Sequence, residues 1–319
     1  MTKGFHQPNL LILGASGVVA RAFLRRLGGW RAHFGRVVLL DKNERVLADR
    51  FLEHQRLDYD FVRRRLRFPQ DAAYYRQLLR RYQIDIALDV TDMDTLPILE
   101  ATDAAGVSYV CTALNDGKRS VTELVSLLDA TRARKRRAPH ILCSGMNPGV
   151  VNIWVWHGVR HYGVPREIVH FEYDTSKPAN GWRPTLTWSR RQYLTEVAWD
   201  PTGKVVDGKA VVLRTNALQN REPMHALLRP VMPLDSYPHG WLVLHEENLT
   251  LGQRLGVSSK FIYAIDQRTM AHLTRRWRQR GTLHVSDLEI GDNTVAPLDG
   301  TDTVGVCLEY DRRRVYYLS

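Results

Sequence analysis

Apolar and polar positions in the first half of the chain alternate between short apolar runs and amphipathic stretches. Residues 10–20 read LLILGASGVVA, an apolar run, a glycine-rich turn and then a helical periodicity with Ala20, Phe23, Leu24 and Leu27 on one face. Gly28 and Gly29 end that predicted helix. A second apolar run, 36–40 (RVVLL), is followed directly by Asp41, and a polar helical stretch covers 44–56. A weak strand over 62–68 precedes a helix over 71–82, and the run 85–90 (DIALDV) carries Thr91 and Asp92 at its C-terminal end. Helices over 95–105 and 119–137 then separate strands at 107–111 and 140–143. Strands that alternate with helices of this length predict βαβ units and a doubly wound, Rossmann-type parallel sheet over residues 1–146.

The pattern changes after GMNPGVVN (145–152). A helix is expected over 149–161, and the plainer reading of Asn147-Pro148-Gly149 is a turn that opens a helix with Pro148 at N1. Short alternating stretches follow at 168–173, 184–188, 211–215, 241–245 and 260–264, punctuated by Pro and Gly. Residues 147–297 are therefore expected to form an α+β domain on a mainly antiparallel sheet. Residues 298–319 read as a C-terminal hairpin, 305–310 against 315–318, returning toward the interface between the domains.

Composition changes this picture little. The 319 residues suit two cores. No apolar run reaches the roughly 18 residues of a membrane span, and the N-terminus lacks a signal-peptide pattern. The cysteines, Cys111, Cys143 and Cys307, form neither a zinc spacing nor a disulfide framework, so a cytoplasmic setting is expected. The net charge of +11 is spread over scattered arginine pairs, with no nucleic-acid-binding signature, so neither nucleic acid nor membrane is expected as a partner. His157 and His161 stand one helical turn apart but lack a third ligand, and no metal is expected.

The glycine-rich turn carries the first chemistry. Gly14, Ser16, Gly17 and Val18 lie in a G-x-x-G-x-x-A pattern between a strand and a helix, where backbone amides and the helix dipole favour a pyrophosphate. Asp41 ends the next strand, where a carboxylate accepts hydrogen bonds from ribose hydroxyls and repels a 2′-phosphate. NAD is the expected cofactor, although Lys42 and Arg45 could serve a 2′-phosphate instead. Thr91 and Asp92, beyond a parallel strand's carboxyl end, complete the expected cofactor side.

The second half carries Asn147 in G-M-N-P-G, Glu172 in E-x-D-T, Trp188 and Glu196 in T-W-S-x₆-E, His245 in H-G-x-x-x-x-H-x-E, and Asp302 in D-G-T-D-T. In this order the elements resemble homospermidine synthase, within the saccharopine-dehydrogenase-like group, over nearly the whole chain. Asn115 stands where that family has an acidic residue, and the chain resembles a C-terminally shortened member. The resemblance implies NAD held tightly as a prosthetic group, a putrescine-like amine substrate and a homodimer. Hydride would leave an amine, a second amine would exchange into the imine, and the hydride would return. It implies catalytic roles for Glu196, Trp188, His245 and Asn147, and substrate binding by Asp92, Glu172, Asp302 and Asn115.

The physical logic holds without that family. A cationic amine needs carboxylates, and an iminium needs negative or quadrupolar density nearby. Each residue also has a plainer reading: Trp188 as a core aromatic, Glu172 and Glu196 as surface carboxylates, His245 as a core histidine, Asp302 as a turn residue. Two alternatives stand beside the amine reading. One is a saccharopine- or opine-type NAD(P)-dependent reductase, with Arg183 or Arg190 for a substrate carboxylate. The other is a non-catalytic NAD-binding pseudoenzyme. If the amine reading holds, Asp92, Glu172, Glu196 and Asp302 converge on one acidic pocket.

Overall fold

The computed structural model describes residues 7–27, 29, 33–50, 52, 58–130, 135–234, 236–291 and 297–319. Gly28, most of 44–56 beyond residue 50, and 131–134 of the predicted 119–137 helix lie outside the described residues. The chain divides into two units, residues 1–119 with 126–145, and 120–125 with 146–319.

The first unit is built on a six-stranded sheet in the order β3-β2-β1-β4-β5-β6. Its strands are β1 (Leu10–Leu13), β2 (Val37–Asp41), β3 (Tyr59–Arg63), β4 (Ile86–Asp89), β5 (Ser108–Cys111) and β6 (His140–Ile141). Every pairing in it is parallel. β1 and β2 are buried throughout, which is why they read as continuous apolar runs rather than alternating ones. Helices Val18–Leu27, Ala72–Arg81 and Thr95–Ala104 make the crossovers. The strand order reverses between β1 and β4, leaving their carboxyl ends side by side at a topological switch point. The weak strand predicted over 62–68 lies earlier, because β3 pairs from Val37↔Tyr59 to Asp41↔Arg63.

The second unit carries a mixed eight-stranded sheet. Its strands are β7 (Glu167–Asp174), β10 (Gly203–Val206), β11 (Lys209–Val212), β12 (Arg221–Pro223), β13 (His239–Val243), β14 (Ser258–Ala264), β17 (Asp302–Glu309) and β18 (Arg314–Leu318). The path runs β11-β10-β14-β7-β17-β18, with β13 also on β14 and β12 on β13. The remaining strands form two small pairs, β8 (Lys177–Pro178) with β16 (Leu298–Asp299) and β9 (Thr185–Leu186) with β15 (Glu289–Ile290). The main sheet is antiparallel except at its centre, where β7 and β14 run parallel. The C-terminal hairpin belongs to this sheet, with β17 paired to β7 from Asp302↔Asp174 to Glu309↔Glu167.

Helices Glu246–Leu255 and Gln267–Arg280 flank β14 and were not foreseen; the strand predicted over 241–245 stops at Val243 because His245 caps the first of them. The expected helix start at Pro148 is also corrected. Gly149, at φ 138°, is the cap, and the helix runs Val150–Tyr162. That helix and Glu246–Leu255 bury Val155 and Leu251 in a cluster with Ile168, Val306 and Leu308. A larger cluster is rich in aromatics: Phe171, Tyr193, Trp241, Phe261 and Tyr263. Among the described residues no helix is long and apolar enough to cross a membrane.

Close packing against β17 gives a direct test. A Cβ at Gly305 would lie 2.4 Å from Phe171 Cζ and 2.8 Å from the Tyr317 carbonyl oxygen, and Phe171 is fully buried. Gly305→Ala should destabilise the protein by about 1–3 kcal/mol in urea unfolding. Gly29→Ala, with nothing within 4 Å, should be neutral by comparison. Equal effects would contradict this packing.

Candidate functional site

In the first unit the turn after β1 is organised by its own hydrogen bonds. The amides of Gly14 and Ala15 both donate to the Leu40 carbonyl, and that of Gly17 donates to the Gly14 carbonyl. Asp41 is buried, and its carboxylate accepts from the Ser16 amide at 3.0 Å and the Asn43 amide at 3.0 Å. The Ser16 hydroxyl in turn donates to the Asn43 carbonyl and accepts from the Val46 amide. Asp41 therefore braces the turn, as well as standing where a ribose-binding carboxylate belongs. The donors left for an anion are the first-turn amides of helix Val18–Leu27, which have no intrahelical acceptor, and Val18 and Val19 are 56% and 51% exposed.

Gly14 has φ +81°, and a Cβ there would lie 2.9 Å from Thr91 Cγ2, so only glycine fits beside the end of β4. That end is held by Asp89, which sequence reasoning passed over. Its buried carboxylate accepts from the Thr91 amide and hydroxyl and from the Tyr109 hydroxyl at 2.7 Å. Burial pushes the Asp89 carboxyl upward, against the pull of the Thr91 and Tyr109 hydrogen bonds. Asn115 clamps the same loop, donating from its side chain to the Thr91 carbonyl at 3.1 Å. Asp92 is exposed in this unit.

In the second unit the site grows from one strand. Side chains alternate across a sheet, so His170, Glu172 and Asp174 of β7 share one face while Val169, Phe171 and Tyr173 take the other. His170, Glu172 and Asp174 are at most 9% exposed. Asn147 donates to Glu172 at 2.8 Å. Tyr263, the register partner of Glu172 on β14, also hydrogen-bonds it and accepts the Trp188 indole N–H at 2.7 Å. Trp188 stacks along Tyr263 with centroids 6.4 Å apart and stands edge-on to Tyr193. Asp302 lies opposite Asp174 on β17.

Glu196 sits on a π-helical turn, Thr195–Trp199, after helix Arg190–Leu194. Gln192 donates to it at 3.1 Å, and His245 Nε2 lies 3.6 Å away. His245 Nδ1 meets Glu246 at 3.1 Å and also contacts Glu247.

The electrostatics are one-sided. Among the described residues, no Lys or Arg lies within ion-pair distance of Glu172, Asp174, Glu196, Glu247 or Asp302, and His245 is the cation in their midst. Burial would lower the His245 pKa, but Glu247, Glu246 and Glu196 outweigh it and hold the imidazolium well above its ordinary range. Burial, then the Asp302 charge, pushes the Glu172 carboxyl up against its hydrogen bonds from Asn147 and Tyr263. Partial desolvation and Asp174 raise Asp302, which is exposed at the start of β17. Burial lowers His170 to about 4, so its ring is neutral. Tyr263 feels Glu172, Glu196 and Asp174 together, which brings the row into one electrostatic field.

Of the four carboxylates expected to converge, Glu172, Glu196 and Asp302 belong to this row, and Asp92 belongs to the other unit. Asp174, Glu246 and Glu247 stand inside the quoted motifs but were given no role, and His170 was passed over. Their signal was available for β7, where polar residues occur every second position in an otherwise apolar strand. Arg183 pairs with Glu289 at 3.3 Å and Arg190 donates to the Leu288 carbonyl, so both cations considered for a substrate carboxylate are engaged elsewhere.

No protein-family model matches the chain, and no curated protein matches it in sequence. Among solved structures, the chain is similar to the WlbA (WbpB) dehydrogenase from Thermus thermophilus in complex with NAD and α-ketoglutarate, at a TM-score of 0.41 and 12% identity over 97% of this chain and 82% of that one. It is similar to myo-inositol 2-dehydrogenase from Lactobacillus plantarum, at a TM-score of 0.47 and 10% identity over 98% and 76% of the two chains. It is also similar to myo-inositol dehydrogenase from Lactobacillus casei in complex with NAD(H) and myo-inositol, at 0.44 and 10% over 98% and 74%.

No family model or curated protein supports homospermidine synthase and none of these structures is one, so the resemblance to that family is corrected and its putrescine chemistry is not carried further. Its short motifs have local structural causes. Thr187 donates to Asp174, Ser189 caps helix Arg190–Leu194, and Gly300, at φ +104°, fills a turn where a Cβ would meet the Thr175 carbonyl oxygen at 2.5 Å.

The raised Glu172 carboxyl has a testable sign. A carboxyl whose pKa is higher folded than unfolded stabilises most below its unfolded value, and that contribution is lost as pH rises through the folded value. Glu172→Gln should therefore gain stability relative to wild type as pH rises from the ordinary carboxylate range to neutrality. The gain should be at least about 1 kcal/mol, since one pKa unit is worth about 1.4 kcal/mol. A difference that stays constant with pH in urea unfolding would contradict the burial of this group.

Proposed function

We propose that this chain is an NAD-dependent oxidoreductase whose substrate bears a cationic nitrogen at or beside the carbon that exchanges hydride. The first unit holds the dinucleotide. The amides at the start of helix Val18–Leu27 take the pyrophosphate, with Gly14 and Gly17 shaping the approach and Ser16 holding the turn. Asp41 takes the adenosine ribose, and Thr91, Asp92 and Asn115 line the loop beyond β4. Bound NAD supplies the hydride acceptor, and the protein supplies orientation and electrostatics.

The single observation that carries the substrate class is the row of carboxylates, Glu172 and Asp174 buried and Asp302 exposed at its end, which has no paired Lys or Arg among the described residues and meets the Tyr263 hydroxyl that also accepts from Trp188. Burying such charges is costly unless a cation answers them. Glu172 and Asp302 hold the ammonium or iminium, and Asn147 fixes the Glu172 carboxylate. Trp188 offers its ring face to the cation. Glu196 accepts the proton that an ammonium must lose before its carbon can release hydride, and His245 positions Glu196.

The test separates the two halves of the proposal. Calorimetric titration should show NAD binding that weakens in Asp41→Ala. Reduced nicotinamide should form with primary or secondary amines more readily than with neutral polyols, and Glu172→Gln and Trp188→Ala should each lower kcat/KM by at least about tenfold, equivalent to about 1.4 kcal/mol of transition-state stabilisation. Turnover of polyols with no loss in Glu172→Gln would overturn the cationic substrate but keep the oxidoreductase. NAD binding without turnover of any amine or polyol would instead favour a non-catalytic nucleotide sensor.

A further inference from the structure

Further along the same face of β7 sits a second group of donors. His245 caps the helix Glu246–Leu255, and Glu246 and Glu247 are its first residues. One nitrogen and two carboxylate oxygens from these three side chains lie within 4.8 Å of one another. All three residues are buried, Glu247 completely. The helix dipole and the His245 ring account for part of this arrangement.

Two observations are left over. Glu247 Oε1 has no hydrogen-bond partner among the described residues, although Oε2 of the same carboxylate meets His245. His170 is 1% exposed, and neither of its ring nitrogens has a partner among the described residues. His170 shares its face of β7 with Ile168, and Ile168 clusters with Leu251 of this same helix. The His170 ring therefore faces the helix that carries Glu247, and it interacts electrostatically with both Glu247 and His245. A buried imidazole with both nitrogens free is rare, because buried polar groups are nearly always satisfied.

We propose that His245, Glu246 and Glu247 bind a divalent transition cation of the zinc type, and that the His170 ring, which lies outside their 4.8 Å cluster, turns in from β7 as the fourth ligand. Two imidazole nitrogens and two carboxylate oxygens suit Zn²⁺ and its neighbours rather than Ca²⁺ or Mg²⁺, which favour oxygen donors alone. One cation would satisfy both the free Glu247 oxygen and a free His170 nitrogen. The Glu196 carboxylate, 3.6 Å from His245 Nε2, places the site against the substrate-binding row. The inference does not depend on the nucleotide reading, since all four ligands lie in the second unit.

The test uses the full chain after chelator treatment, titrated with Co²⁺ and then Zn²⁺, followed by visible absorption and calorimetry. The His157–His161 pair, with rings 4.1 Å apart near the surface, is a competing chelator and supplies the control. The expected result is one equivalent of Co²⁺ displaced by Zn²⁺, with affinity lowered at least about tenfold in Glu247→Gln and in His170→Gln and unchanged in His157→Ala/His161→Ala. If the buried variants fail to fold, wild-type imidazole proton NMR decides. Co²⁺ should then shift and broaden two buried histidines while His157 and His161 stay sharp. No uptake would mean that a water serves these atoms, and would overturn the proposal. Uptake abolished in the His157/His161 double variant, or broadening confined to that pair, would overturn it equally.

Discussion

Adjacent residues on a β-strand must point to opposite faces, and β7 turns that constraint into the organisation of the second unit. The strand is at the middle of its sheet, paired to β14 on one side and β17 on the other. Its odd positions build an apolar core with their register neighbours Ile262 and Cys307. Its even positions lead from Ile168 in an aliphatic cluster to His170, Glu172 and Asp174. The polar row is thus built into the same strand that holds the core together. A one-residue slip would exchange the two faces, so the register that positions Glu172 beside Tyr263 is enforced by the burial of Phe171 and Tyr173.

The carboxylate row has an energetic consequence. Charges buried without a partner shift their pKa values or draw in a cation. Glu172 takes the first course, its carboxyl raised by burial and by the Asp302 charge, while Asp302, at the exposed start of β17, is raised by partial desolvation and by Asp174. At the other end of the row His245 supplies the positive charge itself, held between Glu246, Glu247 and Glu196. The row is therefore polarised, with a cation already in place at one end and raised carboxyls without one at the other. That asymmetry distinguishes the Glu172 end, where an organic cation meets no imidazolium, from the His245 end, where a metal ion would have to displace the imidazolium proton.

Rossmann-type packing governs the first unit. At the switch point between β1 and β4, Gly14 must approach the Thr91 side chain too closely for any Cβ. Asp41 and Asp89 then each brace a loop at a strand's carboxyl end, one accepting from Ser16 and Asn43, the other from Thr91 and Tyr109. Backbone amides of the turn are spent on this internal bracing, so the free donors are shifted onto the start of the helix at Val18.

The parallel sheet was legible in the sequence because β1 and β2 are buried on both faces and stand out as unbroken apolar runs, with strands and helices alternating after them. The glycine turn was legible as part of one strand–turn–helix segment, and Asp41 as the residue that ends the next apolar run. Glu172, Trp188, Glu196, His245 and Asp302 were singled out within short motifs whose order led to a wrong family, since Ser189 and Gly300 serve a cap and a turn that any chain can use. The helix starting at Glu246 was hidden behind a strand-like run that ends at Val243. Only tertiary structure decided that His170 faces Glu247 across 77 residues of chain, that Asp302 joins Asp174, and that Arg183 and Arg190 are engaged elsewhere. Periodicity reports which face a residue takes on its own element. Which element that face then meets is set by pairing and packing between distant segments, which local pattern does not encode.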